Sequence, residues 1–75
     1  MTKLFLWKIT ATVTFPDSGT NPERKFSVAT TVDDVAEAIK TGRKVRGVDD
    51  CGAEWRVRNF VNVEFIGEAF YAVNL

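Results

Sequence analysis

The chain has 75 residues, 45% hydrophobic and 27% charged, with ten Lys plus Arg against ten Asp plus Glu. That composition fits one small globular domain over residues 1–75 and excludes a wholly disordered or collagen-like chain. A formal net charge of zero excludes a partner chosen by bulk charge alone.

The chain contains no histidine and a single cysteine. Without an imidazole, a Ser or Cys nucleophile lacks its usual base, and one Cys without His cannot complete a structural zinc site. Only carboxylate chemistry or a carboxylate-bound Mg²⁺ stays open. A domain of this size buries only about 60% of its unfolded surface, which leaves little depth for a dry cleft. A non-enzymatic protein with no cofactor is expected. One Cys makes no internal disulfide, which suits a reducing cytoplasm. The longest apolar run, Ala69 to Val73, is five residues, against the roughly 20 of a spanning helix. Leu4-Phe5-Leu6-Trp7 breaks off at Lys8, too early for a signal peptide. No membrane partner is expected.

The first segment alternates: Phe5, Trp7, Ile9, Ala11, Val13 and Phe15 fall on one face, Lys8, Thr10, Thr12 and Thr14 on the other. That period of two predicts a strand from Lys3 to Phe15, with Leu4 and Leu6 as apolar intruders on the polar face. Pro16 to Arg24, PDSGTNPER, concentrates turn formers and predicts a long loop, the segment expected to move most. Phe26, Val28 and Thr30 then alternate with Lys25, Ser27 and Ala29, a second strand that closes a hairpin with the first.

A helix follows. Thr31 is placed to cap the amide of Asp34, Asp33 and Asp34 suit the first turn, and Val32, Val35, Ala36 and Ile39 form a buried stripe. Gly42 is expected to end it in a left-handed conformation. Lys44 to Val48 reads as a short strand or extended crossover, and Asp49-Asp50-Cys51-Gly52 as a turn. Trp55, Val57, Val61, Val63 and Phe65 continue in strand alternation. Asn59 falls on their apolar side and Phe60 on the polar side, so a bulge is expected near Asn59. Ile66-Gly67-Glu68 is read as a turn into a last strand, Ala69 to Asn74. The fold class is α+β: a mostly antiparallel sheet of four or five strands with one helix on one face, in the order β-β-α-β-β.

Four features bear on function. Leu4, Leu6, Phe60, Ile66 and Phe70 are apolar groups on the face that the helix would leave bare, a surface for a partner or for self-association. Lys40, Arg43, Lys44 and Arg46, with Arg56 and Arg58 beside Trp55 and Phe60, form a basic strip interleaved with aromatics. Such a strip can bind nucleic acid by stacking and phosphate contact, but Asp49, Asp50 and Glu54 cancel much of its field, so a protein partner ranks first. In the acidic set Asp33, Asp34, Glu37, Asp49, Asp50 and Glu54, helix capping and turn formation account for Asp33, Asp34, Asp49 and Asp50. Two sheet edges remain as templates for pairing.

Phe26-Ser27-Val28 followed by Thr31-Val32-Asp33-Asp34-Val35-Ala36-Glu37-Ala38 resembles the strand-to-helix passage of many small phage and mobile-element proteins. In size and element order the chain resembles compact phage-encoded proteins that bind and inhibit a host enzyme or defence complex. That resemblance implies a module acting in the host cytoplasm on a surface of a larger protein. Arg43, Arg46, Arg56, Arg58 and Phe60 are the expected partner-binding anchors, because Arg and aromatic side chains dominate measured binding energies. The alternatives are a nucleic-acid binder using the same strip and a homodimeric structural subunit joined by an apolar face or an edge strand.

Overall fold

A computed structural model describes residues 2–16 and 18–71. The elements are β1 (Thr2–Thr14), β2 (Glu23–Thr30), α1 (Val35–Gly42), β3 (Arg46–Val48) and β4 (Glu54–Tyr71). They form one antiparallel sheet in the order β2-β1-β4-β3, with the single helix on one side. The α+β class and the four-stranded count follow from this arrangement. The short segment before the long strand, expected as a short strand or an extended crossover, is the three-residue strand β3. The fourth and fifth expected segments are instead one strand, because Ile66-Gly67-Glu68 stays paired to β1 rather than turning. Residues 72–74 of the expected last strand lie outside the described residues.

The alternation in β1 sets the core. Trp7, Ile9, Ala11, Val13 and Phe15 are all buried, and Val28 on β2 and Ala38 on α1 close over them. Across β2 the register puts Phe26 opposite Ile9 and Val28 opposite Trp7, so the inward rows of both strands share one face. Burying Trp7 also buries its indole N–H, which donates to Thr30 Oγ1 at 2.9 Å, and that hydroxyl donates to the Val32 carbonyl at 2.8 Å. The relay leaves neither polar group unsatisfied and fixes how the chain leaves β2 toward the helix.

The β1–β2 connection is shorter in effect than its nine-residue composition predicts. Backbone bonds continue the hairpin, from the Val13 amide to the Pro22 carbonyl at 2.9 Å and from the Phe15 amide to the Thr20 carbonyl at 3.1 Å. Phe15 is thereby buried, with the Arg24 guanidinium 5.6 Å from its ring centre.

The helix is one turn shorter than its sequence predicts and turns a different stripe inward. Asp34, not Thr31, is the N-cap, and its carboxylate accepts from the Ala36 amide at 2.9 Å. Val32, Val35 and Ala36 are exposed, while Ala38 and Gly42 are buried. Small residues four apart let the helix axis approach the sheet, which the bulkier valine stripe would hold off. Gly42 is not a left-handed stop; it is the last helical residue. Its role is proximity, since a Cβ there would stand 2.7 Å from Ile9 Cδ1 and 3.0 Å from Phe60 Cε1.

The register of β4 against β1 shifts three times, leaving Arg58, Val61 and Ile66 without a partner. Each extra residue changes which face the following side chains occupy. Asn59 pairs with Thr12, and Phe60 then pairs with Ala11, which lies on the buried row. Phe60 is therefore half-buried under the helix, whereas the unbroken alternation had it on the bare face. The bulge expected near Asn59 is present on both sides of it.

Candidate partner-binding surfaces

The five expected anchors do not form one strip. Arg43 caps α1 through its amide, which donates to the Ile39 carbonyl at 2.9 Å, and its guanidinium lies 5.2 Å from the centre of the Phe60 ring. This pair belongs to the helix side. Arg56 pairs with Thr14 and with Arg46, which puts both arginines on the opposite, uncovered face of the sheet. Arg58 is an exposed bulge residue between the two groups. The bulges of β4 account for the split, because they turn Phe60 away from the arginines that precede it in sequence.

Among the described residues, Lys3 and Glu68 form the one ion pair, at 3.0 Å. Arg46 and Arg56 are both exposed, face each other across the β3–β4 ladder and take no carboxylate within salt-bridge distance. Like charges directly opposite on a sheet disfavour pairing, an effect that solvent screens at these exposed positions. The turn behind it is held firmly: Asp49 Oδ1 accepts from the Cys51 and Ala53 amides, both at 2.9 Å, and Gly52 closes the loop at a φ of 84°. That geometry fixes the register that brings the two arginines together.

The uncovered face around the rung is polar. In register it carries Lys8, Thr10, Thr12 and Thr14 from β1, Glu23, Lys25 and Ser27 from β2, and Asn59, Asn62 and Glu64 from β4. Its apolar groups lie at both ends: Leu6 opposite Ala29 and Gly67 and Leu4 opposite Ala69 at one, and Val48, 62% exposed and opposite Glu54, beside the rung at the other. Of the five apolar groups expected there, Leu4 and Leu6 are present. Phe60 is under the helix, and Phe70, opposite Lys3, shares the side of Phe5. Ile66 is an exposed bulge residue.

Further exposed apolar groups were hidden in the sequence, because Val32, Val35 and Phe65 read as core and Phe70 as part of the opposite face. Beyond the short helix, on its own side of the sheet, Phe65 and Phe70 stay 45% and 68% exposed, and Val32 and Val35 are both 48% exposed. Phe65 rests on the buried row, 5.2 Å from the Trp7 ring centre and 6.4 Å from that of Phe5. The signal that could have found this corner is helix length. Eight residues rise about 12 Å, and β1 alone has 13 residues to cover.

Among the described residues there is no pocket, no cluster of His, Cys, Asp or Glu able to hold a metal, and no helix long and apolar enough to cross a membrane. Cys51 is exposed in the β3–β4 turn. Comparison with protein-family models, with curated proteins and with solved structures found no match.

Proposed function

We propose that this chain is a non-enzymatic protein-binding module whose uncovered sheet face occupies a surface of a larger protein, as the phage-encoded inhibitors it resembles in size and element order do. The observation that carries this reading is the Arg46–Arg56 rung, a pair of exposed like charges held in register by a rigid turn and left without an anionic partner among the described residues. Local choices that lower stability tend to be kept where a partner uses them. Carboxylates on a partner would relieve the repulsion and engage both guanidinium groups in charge-assisted bonds. The broad side of the molecule measures 43 by 28 Å, ample for the roughly 800 Å² that each partner contributes to a standard interface.

The nucleic-acid alternative loses its stacking surface. Trp55 and Phe60 lie on the helix side, so the cationic face holds threonines and amides where a single-strand binder displays aromatic rings. The discriminating experiment is affinity capture from host lysate with and without nuclease, using the wild-type chain and the Arg46→Glu/Arg56→Glu double variant. One protein recovered equally from both lysates, and lost with a double variant of unchanged circular dichroism, is the expected result. Retention by the folded variant would remove this face from the interface, and loss on nuclease treatment would transfer the reading to nucleic acid.

A further inference from the structure

The outer edge of β2 carries an inference independent of the partner-binding face. Backbone bonds from the Val13 amide to Pro22 and from the Phe15 amide to Thr20 fix the phase of the hairpin ladder. The β1–β2 register then runs without a bulge, so the bonded rungs recur at every second pair: Ala11–Arg24, Ile9–Phe26, Trp7–Val28 and Phe5–Thr30. Glu23, Lys25, Ser27 and Ala29 fall between those rungs and turn their amides and carbonyls away from β1. Because β2 is the last strand of the sheet, these groups point off its edge. The Glu23 carbonyl accepts from the Arg24 guanidinium at 3.0 Å, whereas the outward groups of Lys25, Ser27 and Ala29 have no partner among the described residues.

Sheet edges are ordinarily blunted by charge, proline, a bulge or a short length. At the other edge β3 has three residues, and β2 opens with the charged Glu23, Arg24 and Lys25. From Phe26 to Thr30 none of these devices is present: FSVAT is uncharged, free of proline and regular in its pairing. That stretch complements itself. About a two-fold axis through Ser27, an antiparallel second copy sets Ala29 against Lys25, Ser27 against Ser27 and Val28 against Phe26. All three sets of outward groups then find partners, and two aromatic–β-branched pairs form across the junction. Neighbouring registers do worse. An axis at Arg24 or Lys25 sets a like charge against itself, one at Phe26 sets Arg24 against the buried Val28, and one at Val28 carries Lys25 past the end of the facing strand. The axis at Ser27 also lays the end of β2 that has two basic residues and one acidic beside the chain leaving Thr30 of the second copy, whose charges are Asp33 and Asp34.

We propose that two copies of this chain join β2 to β2 in an antiparallel two-fold pair centred on Ser27, making one continuous sheet from the two four-stranded ones. The axis is perpendicular to the sheet, so both uncovered faces lie on the same side. The contact is closed, because each copy uses its β2 edge on the other and only the short β3 edges remain.

Sedimentation equilibrium of the full chain at micromolar concentration is expected to give twice the 8.4 kDa of one chain. Ala29 is exposed and faces Lys25 of the second copy in this register. Ala29→Glu is therefore expected to tighten the dimer and Ala29→Lys to weaken it, a difference of roughly tenfold between the two. In a Cys51→Ser background, which removes the exposed native thiol, Ser27→Cys is expected to cross-link the copies on mild oxidation. Directly bonded partners have Cα atoms about 5.5 Å apart, within the span of a disulfide. Lys25→Cys is expected not to cross-link, since the two copies of that residue stand on the order of 14 Å apart along the strands. A wild-type monomer, a dimer indifferent to the sign of the charge at position 29, or equal cross-linking through both cysteines would overturn the proposal. A monomer whose capture of another protein responds to the charge at position 29 would also overturn it, by giving the edge to a strand of that protein. The Arg46→Glu/Arg56→Glu variant, altered at the far edge, is expected to keep the dimer mass, so the dimer can fail while partner capture survives, and the reverse.

Discussion

Gly42 shows how two residue-level effects of opposite sign are weighed. In an exposed helix, replacing glycine by alanine gains about 1 kcal/mol. Here the added methyl would meet Ile9, which is fully buried and has no space to retreat into, and the edge of the Phe60 ring. Overpacking of a closed core costs about 1–3 kcal/mol. Gly42→Ala is therefore expected to lower stability by about 1 kcal/mol, read from the midpoint of urea unfolding. A raised midpoint would mean that Ile9 and Phe60 can step aside. Gly47 is confined in the same way, with the Trp55 indole lying against the position its Cβ would take.

At the scale of elements, the strands with unbroken alternation were legible and the one with bulges was not. The buried row of β1 can be read directly from its odd-numbered residues, because a period of two over 13 residues admits one face assignment. In β4 the same rule fails at Arg58, Val61 and Ile66, since a bulge is a property of pairing with another strand and has no fixed residue signature. That failure carried into the candidate site, where it joined Phe60 to arginines on the other side of the sheet. The helix was legible as a helix, but its inward stripe was decided by closeness to the sheet and not by hydrophobicity. Deleting Val61 tests the role of the bulges. Removing that residue joins Phe60, opposite Ala11, directly to Asn62, opposite Thr10, in unbroken alternation, so the pairings on both sides of the bulge can be kept. The variant is expected to keep cooperative unfolding, and Val61→Ala should change stability by less than about 1 kcal/mol at this exposed position. Loss of cooperative unfolding on deletion would mean that the sheet needs the bend that the bulge supplies.

For the whole molecule, the central seam is β1 against β4, and both outer strands attach to it. The two edges are unequal: β3 has three residues and β2 has eight, with its charges gathered in Glu23, Arg24 and Lys25. Amide exchange should follow this architecture, because local openings start where fewest bonds must break. The amides of β1 from Trp7 to Val13 are expected to exchange only by global unfolding, and those of β3 much faster. Native-state hydrogen exchange read residue by residue checks this, and equal protection in β3 and β1 would contradict it.

The same seam governs the order in which the fold can assemble. Its paired residues lie from 42 positions apart, at Thr14 and Arg56, to 69 positions apart, at Thr2 and Tyr71. Either hairpin can close locally, but neither supplies the centre of the sheet. Closing so long a loop costs entropy before any contact rewards it, so a chain of high contact order folds in milliseconds to seconds despite its small size. During synthesis, β1 leaves the ribosome long before the strand that completes it. Until β4 follows, Trp7, Ile9 and Val13 have only β2 and a short helix to shelter them, and the nascent chain depends on the speed of translation for its protection.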